Sequence, residues 1–235
     1  MPRAPKLMDQ LKLHEEKRQY LTSLLILAIL IGACLGAVLA ASWYATRPPL
    51  VLGENEVLTR STTIVGIIRD GGQAELAKLT VELKSGGGRL LISVPPYENE
   101  DTQRSARNAK LAAESETGYD LSHIDIIFSI EAEAEVVTGP SAGTAMAVVL
   151  VAAIRAYENE ASNEVRQDAV VSATINEYGG LGPVGDISDK INAARDAGFN
   201  LFVVANNQTN IPSGVSGIEI KKAQNLNEAV SLMLE

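Results

Sequence analysis

The sequence predicts one α/β (α+β) domain of mixed sheets and packed helices over residues 61–235, preceded by a single transmembrane helix. Two observations carry this. An uncharged apolar run fills residues 21–43, and beyond residue 61 short period-2 apolar runs alternate with stretches of helical periodicity. No internal repeat or low-complexity tract interrupts the pattern, and 235 residues leave room for one ordinary domain plus an appendage.

Taken in order, residues 1–20 form a basic N-terminal segment. Residues 21–43, LTSLLILAILIGACLGAVLAASW, are long enough to cross a bilayer, which needs about 20 apolar residues. Trp43 and Tyr44 close the run where interfacial aromatics sit. A cleaved signal peptide is the alternative, with Val38-Leu39-Ala40 as a cleavage site, but signal cores usually span about 7–15 residues. A lipobox at Ile31-Gly32-Ala33-Cys34 fits less well, because apolar sequence continues past the cysteine. Arg3, Lys6, Lys12, Lys17 and Arg18 precede the span, while Arg47 and Arg60 follow it. Cytoplasmic flanks are enriched in Lys and Arg, so the expected topology is single-pass in the cell membrane, N-terminus cytoplasmic and main domain extracytoplasmic. The sequon Asn207-Gln208-Thr209 is compatible with that side.

A Pro-containing linker is expected over 44–60. Strand runs then follow at Thr63–Ile68, through Ala77, Leu79, Val81 and Leu83, and at Arg89–Val94, Ile124–Ile130, Ala169–Ile175, Leu201–Ala205 and Ile218–Lys222. Helical stretches fit Asp101–Glu114, Ala142–Tyr157, Ser188–Ala197 and Leu226–Leu234.

Composition narrows the chemistry. Net charge is −9, so the clustered Lys and Arg of a nucleic-acid partner are missing. A single Cys34 excludes an internal disulfide, and with only His14 and His123 a multi-histidine zinc site is not expected. No metal and no cofactor is expected.

Gly139-Pro140-Ser141-Ala142-Gly143 is formally a G-x-S-x-G string, which can seat a serine on a sharp turn at a helix start. The first backbone N–H groups of a helix lack internal acceptors and can hold a developing oxyanion. Alone, the string fits an N-cap serine behind a Gly-Pro turn better than a nucleophile. No histidine follows Ser141, so a Ser, acid, His chain order fails. A lysine is a known substitute base. Lys190, Lys221 and Lys222 are the lysines that follow. Lys190 falls on the apolar i, i+4, i+7 stripe of Ile187, Ile191 and Ala194, where desolvation would favour the neutral amine. A snorkelling lysine fits the same position. Lys222 shares a strand face with Ile218 and Ile220 and is a rival, whereas Lys221 alternates with Glu219.

GPSAGTAM at 139–146, LGPVGDISDKINAARDAG at 181–198 and LFVVAN at 201–206 resemble the peptidase domain of the Lon family in order and spacing. The likeness covers most of 61–235 and lies closest to membrane-anchored archaeal-type Lon-like proteases without an ATPase module. It implies a Lon-peptidase-like fold and a serine endopeptidase acting on polypeptide substrates, with Ser141 as nucleophile and Lys190 as general base. Ser172 takes the position of a lysine-orienting hydroxyl, and Gly139, Pro140 and Ala142 frame the oxyanion turn. The family also implies a homo-oligomeric ring. Two departures stand out: Thr138 replaces a frequent acidic residue, and Gly185-Asp186 replaces the usual Gly-Gly. No G-x-x-x-x-G-K-[ST] segment occurs, and Gly86-Gly87-Gly88-Arg89 reads as a tight turn. Two other readings stay open: a catalytically silent domain that assembles with or regulates a membrane partner, and a small-anion site at the helix start.

Overall fold

The computed structural model describes residues 4–45, 47–68, 72–93, 100–132, 136–137, 139–158 and 163–235. The chain divides into two compact units, Met1–Arg47 and Pro48–Glu235.

The first unit is one helix, α1 (Ala4–Ala45). Helix-favouring Lys, Leu, Glu and Gln upstream of the apolar run carry it back well before residue 21. Its stretch Lys17–Val38 is apolar, wholly exposed, and long enough to cross a membrane; a signal sequence meets the same criteria. Cys34 lies exposed on it.

The second unit holds a five-stranded sheet of order β3-β4-β2-β1-β5, a parallel three-stranded sheet β10-β9-β6, and the hairpin β7-β8. The strands of the first sheet are β1 (Val57–Ile68), β2 (Ala74–Ser85), β3 (Leu90–Ser93), β4 (Ile124–Glu131) and β5 (Val136–Val137). The second sheet uses β6 (Ala169–Ser172), β9 (Leu201–Ala205) and β10 (Glu219–Ala223), and the hairpin uses β7 (Thr174–Ile175) and β8 (Leu181–Gly182). Only the β3–β4 pair is parallel in the first sheet, so both sheet types are present as expected. The helices are α2 (Glu100–Thr117), α3 (Gly143–Glu158), α4 (Ile187–Asp196) and α5 (Leu226–Met233).

Alternation on β2 buries Ala77, Leu79, Val81 and Leu83 while Lys78 stays exposed. Helix α3 is apolar nearly all round because it is the central helix of the core, buried from Gly143 through Ile154. Together with the turn before it, Pro140–Glu158 is also long and apolar enough to span a membrane, but 78% of that window is buried inside the domain. The buried face of α2 consists of Thr102, Ser105, Ala106, Ala109, Ala112 and Ala113. Such small residues let α2 pack closely on α3.

Two expectations shift. The compact unit starts at Pro48 rather than 61: Leu50 and Leu52 are buried, and Leu50 N–H donates to Asp120 O at 3.0 Å. The run Ala169–Ile175 is two strands in different sheets, because Ala173 between them gives its C=O to Thr144 N–H, 3.3 Å away. The glycine turn after β2 closes around a carboxylate. Asp125 Oδ1 accepts from Gly87 N–H and Arg89 N–H at 3.0 and 2.9 Å, and Oδ2 accepts from Arg89 Nε at 2.8 Å. A Cβ on Gly86 would sit 2.2 Å from Asp125 Cγ, so glycine is required there. The hydrogen bonds and charge of Arg89 hold the Asp125 carboxyl down at about 2.

Candidate active site

Ser141 sits in a 3-10 turn, Pro140–Ala142, that runs directly into α3. Pro140 fixes its own φ and has no N–H to satisfy, which suits the first position of a helix. Gly143 N–H donates back to Pro140 O, and Ala142 N–H reaches Gly139 O only at 3.5 Å. The amide of Ser141 has no partner among the described residues. A Cβ on Gly143 would meet Ile175 Cγ2 at 3.0 Å and Ser105 Cβ at 3.3 Å, so the helix start lies flush against α2 and β7. Thr144 Oγ1 donates to Thr174 O at 3.2 Å, and Asn108 Nδ2 to Ile175 O at 2.9 Å, fixing the same junction.

Lys190 is 4% exposed on α4, buried with Ile187, Ile191 and Ala194 as the stripe predicted. These residues belong to a second apolar cluster with Val65, Val170, Phe202, Val204 and Ile218. Desolvation pushes the lysine below its ordinary value, and the carboxylate of Asp186 partly opposes it. The rival Lys222 is exposed, and Lys221 pairs with Glu219 at 3.4 Å. His123 is exposed before β4.

A cavity of about 270 Å³ brings Ser141 and Lys190 together with Gly139 and Pro140. Ile67, Thr174 and the turn Pro183–Val184–Gly185–Asp186 complete its wall. Ala142 is buried in the main core and does not line it. Ser172 does not line it either; its Oγ is buried without a hydrogen-bond partner among the described residues. Strand alternation turns Ser172 with Val170 toward the apolar cluster that includes the α4 stripe. Thr138 lies outside the described residues. Among those described, no group of His, Cys, Asp or Glu could hold a metal.

One feature escaped the sequence reading, and one departure noted there gains a geometry. Gln208, 6% exposed, clamps the cavity turn: its Oε1 accepts from Val184 N–H at 2.9 Å, and its Nε2 donates to Val184 O and Thr209 O at 3.0 Å. Nothing local marks that role, since its partner lies across the fold; in sequence it is merely the middle residue of a sequon. Asp186 caps α4 with φ 54° and ψ 32°, a left-handed conformation, and makes no side-chain capping bond. Glycine adopts that conformation freely, and aspartate is among the few other residues that tolerate it.

Residues 103–235 match the family model of the Lon protease (S16) C-terminal proteolytic domain. The chain belongs to this family. The matched Lon region contains Ser141, Ser172 and Lys190. Over 180 residues the chain is also 24% identical to the archaeal Lon protease of Methanocaldococcus jannaschii, an overlap of 73% of this chain. The same overlap is 27% of that relative, so the chain spans only a minor part of its length.

Proposed function

We propose that this chain is a membrane-anchored, ATP-independent serine endopeptidase that cleaves unfolded or extended polypeptides. The observation that carries the reading is the shared cavity of Ser141 and the buried, desolvated Lys190. The neutral Lys190 amine takes the Ser141 Oγ proton as the oxygen attacks the scissile carbonyl. Backbone N–H groups of the turn at Ser141 hold the oxyanion of the tetrahedral intermediate. The lysine ammonium then returns its proton to the leaving amine, and water repeats the sequence on the acyl-serine. Ser172, on the α4-facing side of β6, orients the amine.

The anchor is Lys17–Val38 of α1, and the basic residues before it set the N-terminus in the cytoplasm. Under this reading the site takes chains that arrive already extended, and cleavage of them requires no nucleotide. Assembly into a homo-oligomeric ring is part of the same proposal, by likeness to Lon. A fluorophosphonate probe tests the centre. Ser141 should label, Ser141→Ala should not, and a casein-like unfolded protein should be cut without ATP while a stable folded domain survives. No labelling together with no cleavage overturns the reading.

A further inference from the structure

Among the described residues, two side chains lining the catalytic cavity are ionisable, Lys190 and Asp186. They occupy different depths. Lys190 is 4% exposed, whereas Asp186 is exposed. Among the described residues Asp186 has no salt-bridge partner and no capping hydrogen bond. Much of the remaining wall is apolar, from Ile67, Pro140, Pro183 and Val184.

We propose that Asp186 determines specificity, favouring substrates that place a lysine or arginine side chain in this cavity beside the scissile bond. This deepens the peptidase reading and rests on the Ser141–Lys190 dyad. In the working form of that dyad the lysine is neutral, so the described lining carries one uncompensated negative charge, that of Asp186. Apolar walls ending in a carboxylate complement an aliphatic stem ending in a cation. At about 270 Å³ the cavity lies below the ~300 Å³ lower end of typical small-molecule pockets, which suits one side chain. An acidic substrate side chain meets like charge and is rejected.

The helix does not claim the carboxylate: Asp186 is the N-cap of α4 in a left-handed conformation, yet its side chain makes no capping hydrogen bond.

The test uses the full chain in detergent micelles and quenched peptides that differ only at the residue beside the scissile bond, carrying Lys, Arg, Leu or Glu. Mass spectrometry locates each cut. The readout is the ratio of kcat/KM values within each variant, so changes in absolute rate do not enter. For the wild-type chain the Lys and Arg peptides are expected to exceed Leu about tenfold, with Glu lowest, and salt should shrink the spread. In Asp186→Asn and Asp186→Gly the Lys-to-Leu ratio should fall to about one, and in Asp186→Lys the order should invert. Equal wild-type rates for Lys and Leu overturn the assignment while leaving the dyad intact, as does a preference that survives in Asp186→Asn. If no peptide is cut and Ser141 fails to label with the fluorophosphonate, the dyad reading falls and this inference with it.

Discussion

Replacing Gln208 by leucine keeps the side chain's approximate volume and removes its amide. Three backbone groups lose their partner: Val184 N–H, Val184 O and Thr209 O, now bonded at 2.9, 3.0 and 3.0 Å. A hydrogen bond contributes about 0.5–1.5 kcal/mol net, and a buried group left unsatisfied costs about 1–3 kcal/mol. Water can reach part of this surface turn, so the expected loss of stability is about 2–4 kcal/mol. The turn also forms a cavity wall and feeds directly into α4, which carries Lys190. A displacement of about 1 Å at a catalytic group can cost about 100-fold in rate. Gln208→Leu should therefore lower kcat by about 10–100-fold, measured well below its melting temperature. Gln208→Glu keeps the acceptor for Val184 N–H but sets a carboxylate oxygen against two carbonyls, so it should fall between wild type and leucine. Circular-dichroism melts and peptide cleavage on the full chain supply both readouts. A lowered melting temperature with unchanged kcat would refute the positioning argument. An unchanged melting temperature would refute the clamp itself.

Activity should rise with pH along a single limb reporting Lys190, with its midpoint below that of a solvated lysine, as desolvation demands. Lys190→Arg should be nearly inactive, because arginine stays protonated, while Lys222→Ala stays near wild type; the reverse result would transfer the base to Lys222. Burial of the Lys190 ammonium costs stability at neutral pH, a cost that fades as pH rises through the depressed folded value toward 10.5. Lys190→Met should accordingly raise the melting temperature at pH 7 while abolishing turnover. Asp125, held at about 2 against an ordinary 3.8, contributes stability above its ordinary value that disappears as pH falls toward 2. Asp125→Asn should thus melt earlier than wild type at pH 7, with the two curves converging near the acid end. A soluble fragment beginning at Pro48 should fold better than one beginning at 61, which deletes Leu50, Leu52 and the first residues of β1. At about 1.5–3 kcal/mol for each buried leucine, the shorter fragment should lose about 3–6 kcal/mol in a urea melt; equal midpoints would contradict the boundary.

What the sequence determined on its own is whatever its local periodicity encodes. The uncharged run specified an apolar helix, and the alternation through Ala77, Leu79, Val81 and Leu83 specified which face of β2 is buried. The 3.6-residue period put Lys190 on the stripe of Ile187, Ile191 and Ala194, and Gly-Pro before Ser141 marked a turn at a helix start. In each case the side chain's direction follows from its own neighbours along the chain. Tertiary structure alone decided which of these faces meet. Packing of α4 on β1 and β2, with the turn before α3 in the same domain, puts Ser141 and Lys190 into a single cavity and leaves Lys222 in solvent on an edge strand. The break at Ala173, the burial of Leu50 and Leu52 and the reach of Gln208 to Val184 depend on partners remote in sequence. The left-handed turn at Asp186 is signalled only by the glycine usual at that position in the resembling family, and the φ of 54° itself comes from the structure. Periodicity carries one-dimensional information about exposure, whereas the site is a coincidence of separate elements that only the packing of the two sheets and α3 brings about.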